Sequence, residues 1–440
     1  MASLQFSQQR GRELWLDGLR GIAALIVASN HLIIGHIDAG FRSFWHEPAD
    51  ENRLIIQLPP LRILFAPQAM VSLFMVISGF SISITIIAKR DRGGAGKSFV
   101  NKLASSAFRR IFRLYIPVVM IATLTQIIWF LNLYNWYFPE TMTGGTKPWT
   151  SPWSHFLFLV NYLLDGLNII DLKNNVGLND HLWTIPIELR GSFVTYITIL
   201  GLSTLRPTIR PRVVFLMATY FLWYAQWPIF GFLAGLFVAE MNSLSRLAPD
   251  CAKHDIEAQE KADLPRRNKM KFMGALLFGL GLYLMCIPPF PYEDQWTPGY
   301  QFLGLLTPLR WGHVETQQFC WRTVGASMVV LGINRLGQIQ QWLNTEPIQF
   351  LGRISFAMYI IHQLVYRMIR DTILTGIWGI FREDNYMVTK GAGQPLLFWA
   401  MWIITAMSLG ALVIFLSAHF AKLVDDKAVG WAYAIEEKLS

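Results

Sequence analysis

Charge is scarce in this 440-residue chain: Asp, Glu, Lys and Arg make up 15% of it, where soluble domains carry about 25%. Acidic residues are the scarcer kind, 29 against 38 basic, for a net charge of +9. Cysteine is almost missing. Only Cys251, Cys286 and Cys320 occur, without metal-ligand spacing, which argues against a disulfide framework or a thiolate metal site and leaves free thiols as the expectation. No Walker loop, Gly-x-Ser-x-Gly elbow, His-Glu-x-x-His or dinucleotide fingerprint is present. Haem, metal and dinucleotide cofactors therefore have no signal. Short-period repeats and the paired, Gly/Pro-broken segments of inverted-repeat transporters are also lacking. No Asn-x-Ser/Thr sequon occurs.

What fills the chain is apolar sequence: 53% hydrophobic residues and a mean hydropathy of +0.35. Runs near the length of about 17–25 residues needed for a span fall at 18–37, 68–88, 116–134, 182–205, 213–227, 230–241, 272–288, 324–333 with its flanks, 354–373 and 395–420. The expectation is an all-α, polytopic transmembrane bundle of about ten spans, forming one membrane-embedded domain over 1–440. Residues 154–170 are apolar but carry Asn161 and Asp165, and are expected at the interface or part-way in. The first run is longer than a signal-peptide core and contains Asn30 and His31, so it reads as a retained anchor.

The basic excess is distributed as topology. Lys89, Arg90, Arg92, Lys97, Lys102, Arg109, Arg110 and Arg113 face Asp91 alone between the second and third runs. Positive loops stay in the cytosol, which places both termini there, in agreement with Arg10 and Arg12. Arg206, Arg210, Arg212 and the mixed-charge insertion 242–270 fall on the same side. The tail 425–440 is amphipathic, with Trp431 and Tyr433 among charges, and is expected to rest on the cytosolic surface. A nucleic-acid partner is not needed to explain the charge; the lipid bilayer is the expected partner.

Within this frame a few polar groups stand out. Asp17-Gly-Leu-Arg20-Gly21 opens the first run, and His31 follows Arg20 by eleven residues, about three helical turns and 16 Å of rise. The two share a helix face without touching. Polar groups at membrane depth mark functional paths, and a neutral imidazole at mid-depth can take a proton from a hydroxyl. Arg110 and Arg113 also share a face and could clamp phosphate bidentately, such as the nucleotide end of coenzyme A; lipid-headgroup contact is the bland reading. Glu188, in His181-Leu-Trp183-Thr-Ile-Pro-Ile-Glu188, either orients an imidazole or pairs with a cation from another helix. Ser78 beside Gly79 reads mainly as helix packing. Tyr359 and His362, three apart on one face, read mainly as hydrogen bonding within the bundle. A transporter using His31 and Glu188 as a proton relay is the non-enzymatic alternative.

Taken together these elements resemble the acyltransferase-3 family of multispan membrane acyltransferases. The Arg–ten residues–His motif matches Arg20 and His31, and Arg-x-x-Arg matches Arg110 and Arg113. Phe-Phe-x-x-Ser-Gly-Phe matches Phe74 to Phe80 with Met75 in place of the second aromatic, and Leu-Trp-x-x-x-x-Glu matches Leu182 to Glu188. Leu-Gly-x-x-Ser through Tyr-x-x-His matches Leu351 to His362. Their order is the family's, over nearly the whole chain, and the stretch from Leu182 to Ser192 looks like the filamentous-fungal branch. Ile116 intervenes before Pro117, where the family often has proline directly after the tyrosine. No fused esterase-like domain follows the last run, which makes a second transfer to an exported glycan less expected.

The resemblance implies O-acylation: an acyl group, commonly acetyl, passes from acyl-CoA (acetyl-CoA), a co-substrate and not a resident cofactor, to a hydroxyl. Arg110 and Arg113, with Arg20, would hold the donor. His31 would be the base and Glu188 its orienting group, with Ser78, Trp183, Tyr359 and His362 as possible lining residues, Lys89 and Arg90 as weaker donor contacts, and no metal. The fungal character favours a hydroxylated small molecule of terpenoid or polyketide type as acceptor, at the endoplasmic reticulum or another internal membrane. A glycan or lipid hydroxyl is the enzymatic alternative.

Overall fold

The computed structural model describes residues 13–172, 177–247, 256–288 and 296–439, without the side chains of 256–267 and 439. Arg10, Arg12 and Cys251 lie outside the described residues. Among those described there are helices and turns and no strand. Twelve helices have 14 or more residues: α1 (Leu14–Ile33), α2 (Pro67–Gly93), α3 (Lys97–Phe130), α4 (Pro152–Leu167), α5 (Thr184–Gly201), α6 (Arg210–Trp223), α7 (Trp227–Leu247), α8 (Ile256–Met285), α9 (Val314–Ile333), α10 (Glu346–Phe381), α11 (Pro395–Phe420) and α12 (Asp426–Leu439).

Six segments are long and apolar enough to cross a bilayer: α1, α2, α3, α7, α10 and the continuous stretch from α11 into α12. The other four expected stretches are also helical, as α5, α6, α8 and α9, without meeting that standard among the described residues. Leu396, Trp399, Ile403, Ile404, Met407 and Phe415 of α11 are exposed. Such a belt would be a liability in water and suits hydrocarbon.

Two boundaries differ from expectation. α1 begins at Leu14 and ends at Ile33, so His31 falls in its last turn and not midway along it. α3 begins at Lys97, nineteen residues before the expected run, because the basic segment carries its own helical pattern, with Phe99 and Leu103 buried. Pro117 thus lies inside a helix instead of near its start, and the amide it lacks leaves the Arg113 carbonyl without its usual i+4 donor. Pro186, by contrast, sits in the first turn of α5, where proline is tolerated.

α1 packs along α10, α2 along α7, α8 along α9, and α10 along α11. The closest approaches use glycine. A Cβ on Gly79 of α2 would meet Phe232 O of α7 at 2.1 Å, and one on Gly21 of α1 would meet Gly352 N of α10 at 2.5 Å. α12 lies on the basic end of α3, where Arg109 stacks 4.0 Å from the Tyr433 ring and pairs with Glu436 at 3.4 Å.

Candidate active site

The contact between α1 and α10 builds the site. Gly21 faces Gly352, and ten residues farther along each helix His31 faces His362. Their rings join nitrogen to nitrogen, His31 Nδ1 to His362 Nε2 at 2.7 Å, with 15° between the ring planes. His31 is half-buried and His362 fully buried. Although His31 lies near the end of α1, His362 lies near the middle of the 36-residue α10, so the pair sits inside the bundle.

A third imidazole completes the group. His181, on the turn Asp180–Trp183 that leads into α5, presents its ring edge to His362 with centroids 5.0 Å apart. Its Nε2 lies 3.1 Å from Ile360 O, and its buried Nδ1 has no hydrogen-bond partner among the described residues. Tyr359 donates its hydroxyl hydrogen to the His181 carbonyl and meets Thr184 Oγ1 at 2.8 Å. Since that carbonyl can only accept, Thr184 is the donor to Tyr359. Beside this group Arg367 grips Asp180 through both carboxylate oxygens, at 2.9 and 3.0 Å, and Leu178 O at 2.7 Å.

Glu188 follows Thr184 by one turn of α5, about 6 Å of rise. It accepts from Arg110 Nη2 at 2.6 Å and from Ser78 Oγ at 3.1 Å, and Arg110 Nε reaches Ser192 Oγ at 2.9 Å. Of the two partners open to it from sequence, Glu188 has the cation of another helix; among the described residues it hydrogen-bonds no imidazole. Arg113 is exposed and has no ion-pair partner among the described residues. It lies within electrostatic range of Arg110 and Arg20 and also of the Asp425 carboxylate. Arg20 itself is about a third exposed and is held by Asp17 of its own helix at 2.6 Å.

The site residues expected from sequence thus fall into two adjoining groups and some outliers. His31, His362 and Tyr359 belong to the imidazole group. Glu188, Ser78 and Arg110 form the layer next to it, with Arg113 and Arg20 beyond. Trp183 turns away and meets the Phe319 ring edge to face at 6.2 Å, in the same apolar cluster as Met75, Trp227 and Phe232. Arg90 is not a free cation, because it is buried against Glu240; Lys89 is exposed.

His181, Asp180, Arg367 and Gln363 were not singled out from sequence. Arg367 and Gln363 carried a usable signal, since each is a polar residue within an apolar helix that requires a partner at that depth. Cys286 and Cys320 are buried free thiols away from this group.

Comparison with known proteins agrees with the motif order. The chain is similar to O-acetyltransferase PaAT-1 of Phomopsis amygdali, 26% identical over 89% of this chain and 80% of that protein. It is similar also to acyltransferase R4 of a Phoma species and acyltransferase clz18 of Cochliobolus lunatus, each 22% identical over 89% of this chain and 92% of the relative. No solved structure matches it significantly. The acyltransferase-3 model, described as an acyltransferase domain, matches residues 13–421, and the chain belongs to that family.

Proposed function

We propose that this membrane acyltransferase moves an acyl group, acetyl in the first instance, from acyl-CoA to a hydroxyl of a small secondary metabolite of terpenoid or polyketide type, at the endoplasmic reticulum or another internal membrane. The donor enters from the cytosolic side, on which both termini and the basic ends of the helices lie in a bundle of ten spans. Arg20, Arg110 and Arg113 hold its phosphates, and the thioester reaches inward past Glu188 to the imidazole pair. His31 takes the proton of the acceptor hydroxyl as its oxygen attacks the thioester carbonyl. The C–S bond then breaks and the thiol leaves with a proton. Thiolate is a good leaving group, so the protein's share is a base, orientation and charge stabilisation.

The observation that carries this reading is the adjacency of two unlike groups. One is a cluster of guanidinium groups in which Arg113, with Asp425 in electrostatic range, makes no close ion pair among the described residues. The other is a set of interior imidazoles that no carboxylate hydrogen-bonds among the described residues. The name of the Phomopsis relative supports acetyl as the group transferred.

The test is turnover by purified protein in lipid. Free thiol should appear from acetyl-CoA only when an acceptor is present, and His31→Ala should abolish it while leaving membrane insertion intact. Substantial activity in that variant would rule out His31 as the base. Movement of a solute across the bilayer with no thiol released would replace the enzyme by a transporter. Metabolite profiling after gene deletion identifies the acceptor as the product that loses the mass of one acyl group.

A further inference from the structure

Resting on that assignment of the base, we propose that His362 is a positioning residue: its Nε2 lone pair holds the Nδ1–H tautomer of His31, which makes Nε2 of His31 the nitrogen that takes the hydroxyl proton. Neither tautomer is free to vary. A carbonyl oxygen can only accept, and His362 Nδ1 lies 3.0 Å from Met358 O on its own helix. In the neutral ring Nδ1 therefore carries the hydrogen and Nε2 a lone pair.

That lone pair lies 2.7 Å from His31 Nδ1. Two lone pairs cannot meet at this distance, so His31 Nδ1 carries hydrogen and donates. His31 Nε2 is left with a lone pair and, among the described residues, no hydrogen-bond partner. The Gln363 amide, 3.4 Å from His31 Nδ1, then presents its oxygen to that N–H; which amide atom is which is fixed by such bonding logic.

The third ring obeys the same rule. His181 Nε2 faces Ile360 O, so its hydrogen is there and it donates to neither neighbouring ring. Two backbone carbonyls of α10 thus set the protonation pattern of His362 and His181, and through His362 that of His31. The role often given to a carboxylate behind a catalytic histidine falls here to a neutral imidazole. Asp180 is engaged by Arg367 and Glu188 by Arg110.

When His31 accepts the hydroxyl proton at Nε2, its Nδ1–H becomes a stronger donor to His362, and the developing charge is stabilised without a buried anion. Collapse of the tetrahedral intermediate returns that proton to the leaving thiolate. His362 is neither base nor acid in this scheme, since both its nitrogens are already committed.

Two amides of different reach test the idea. In His362→Gln the side-chain oxygen can occupy the position of Nε2 and accept from His31 without titrating. In His362→Asn the amide can serve Met358 O but stops short of His31. Acceptor-dependent thiol release from acetyl-CoA should show His362→Gln within about tenfold of the wild-type kcat. His362→Asn should lose about 10² or more in kcat, in line with losses seen when a catalytic histidine takes the wrong tautomer. Donor KM and thermal unfolding should match between the two. An inactive but folded His362→Gln would overturn the proposal, because a proton would then have to pass through His362 itself. Equal, near-wild-type kcat in both variants would overturn it too. If His362→Asn fails to fold, the activity of His362→Gln decides alone. His31→Ala separates the cases: activity surviving there defeats the base assignment, whatever the His362 variants do.

Discussion

Two of the arginine–glutamate pairs that tie helices together among the described residues, Arg90–Glu240 and Arg110–Glu188, are built differently. Arg90 of α2 and Glu240 of α7 are almost fully buried, with both carboxylate oxygens taken at 2.7 and 2.8 Å. The remaining Nε of Arg90 goes to Asp91 at 3.0 Å, and Asp91 is itself held by Arg210 and Ser243. That network is closed. Arg110 and Glu188 keep 15% and 19% of their side-chain surface and share one contact at 2.6 Å. Arg110 Nη1 has no partner among the described residues, and unpaired Arg113 stands on the same helix face. A closed pair can only hold helices together, whereas an open one has donors left to offer a phosphate.

The sharpest way to break this comparison is to cut each pair and read different quantities. Glu240→Ala leaves the Arg90 charge buried and short of its main partner. It should cost about 3–5 kcal/mol, seen as a lower unfolding temperature and a poorer folded yield; an unchanged melt would place Arg90 among the free cations. Arg110→Ala with Arg113→Ala should instead raise the donor KM about tenfold or more, equivalent to about 1.4 kcal/mol of uniform binding, with a smaller loss in the melt than Glu240→Ala because Glu188 keeps some solvent. An unaltered donor KM would remove the clamp.

Smaller effects refine the same contrast. Replacing the closed pair by Arg90→Met with Glu240→Leu should return stability to within about 1 kcal/mol of wild type, because apolar packing avoids desolvating both ions. Thermal unfolding checks this, and failure to recover would mean that the ions are needed for more than mutual neutralisation. Least of all, Glu436→Gln at the Arg109 contact should shift stability by no more than about 1 kcal/mol, as a partly exposed pair does. A larger drop in the melt would show α12 to be a principal brace of α3.

Much of this was legible in the linear chain, but only where local periodicity carries the information. Arg20 and His31 lie on one helix whose period is fixed, so their shared face could be read directly. Likewise, Tyr359 and His362 share a face because they are three residues apart. The meeting of His31 with His362 joins residues 331 positions apart and depends on Gly21 and Gly352, whose role is visible only when backbones approach. Glu188 illustrates the same limit. Arg190, two residues on, points to the other side of the helix, and nothing local chooses between a histidine and Arg110. The start of α3 is hidden for another reason: hydropathy falls across the basic segment, while buried Phe99 and Leu103 continue the helix beyond the apolar run.

α1 and α10 count alike between their glycine contact and their histidine, ten residues on either side, and so behave as two rulers laid edge to edge with matching marks. A single residue inserted between Gly21 and His31 would swing that ring by about 100° and carry its nitrogen away from His362, although the composition of the segment would hardly change. Inserting one residue into both helices would level the two rings again but turn both off the shared face, so the contact would stay broken. Within this lineage, the ten-residue spacing in each of the two segments should therefore be kept.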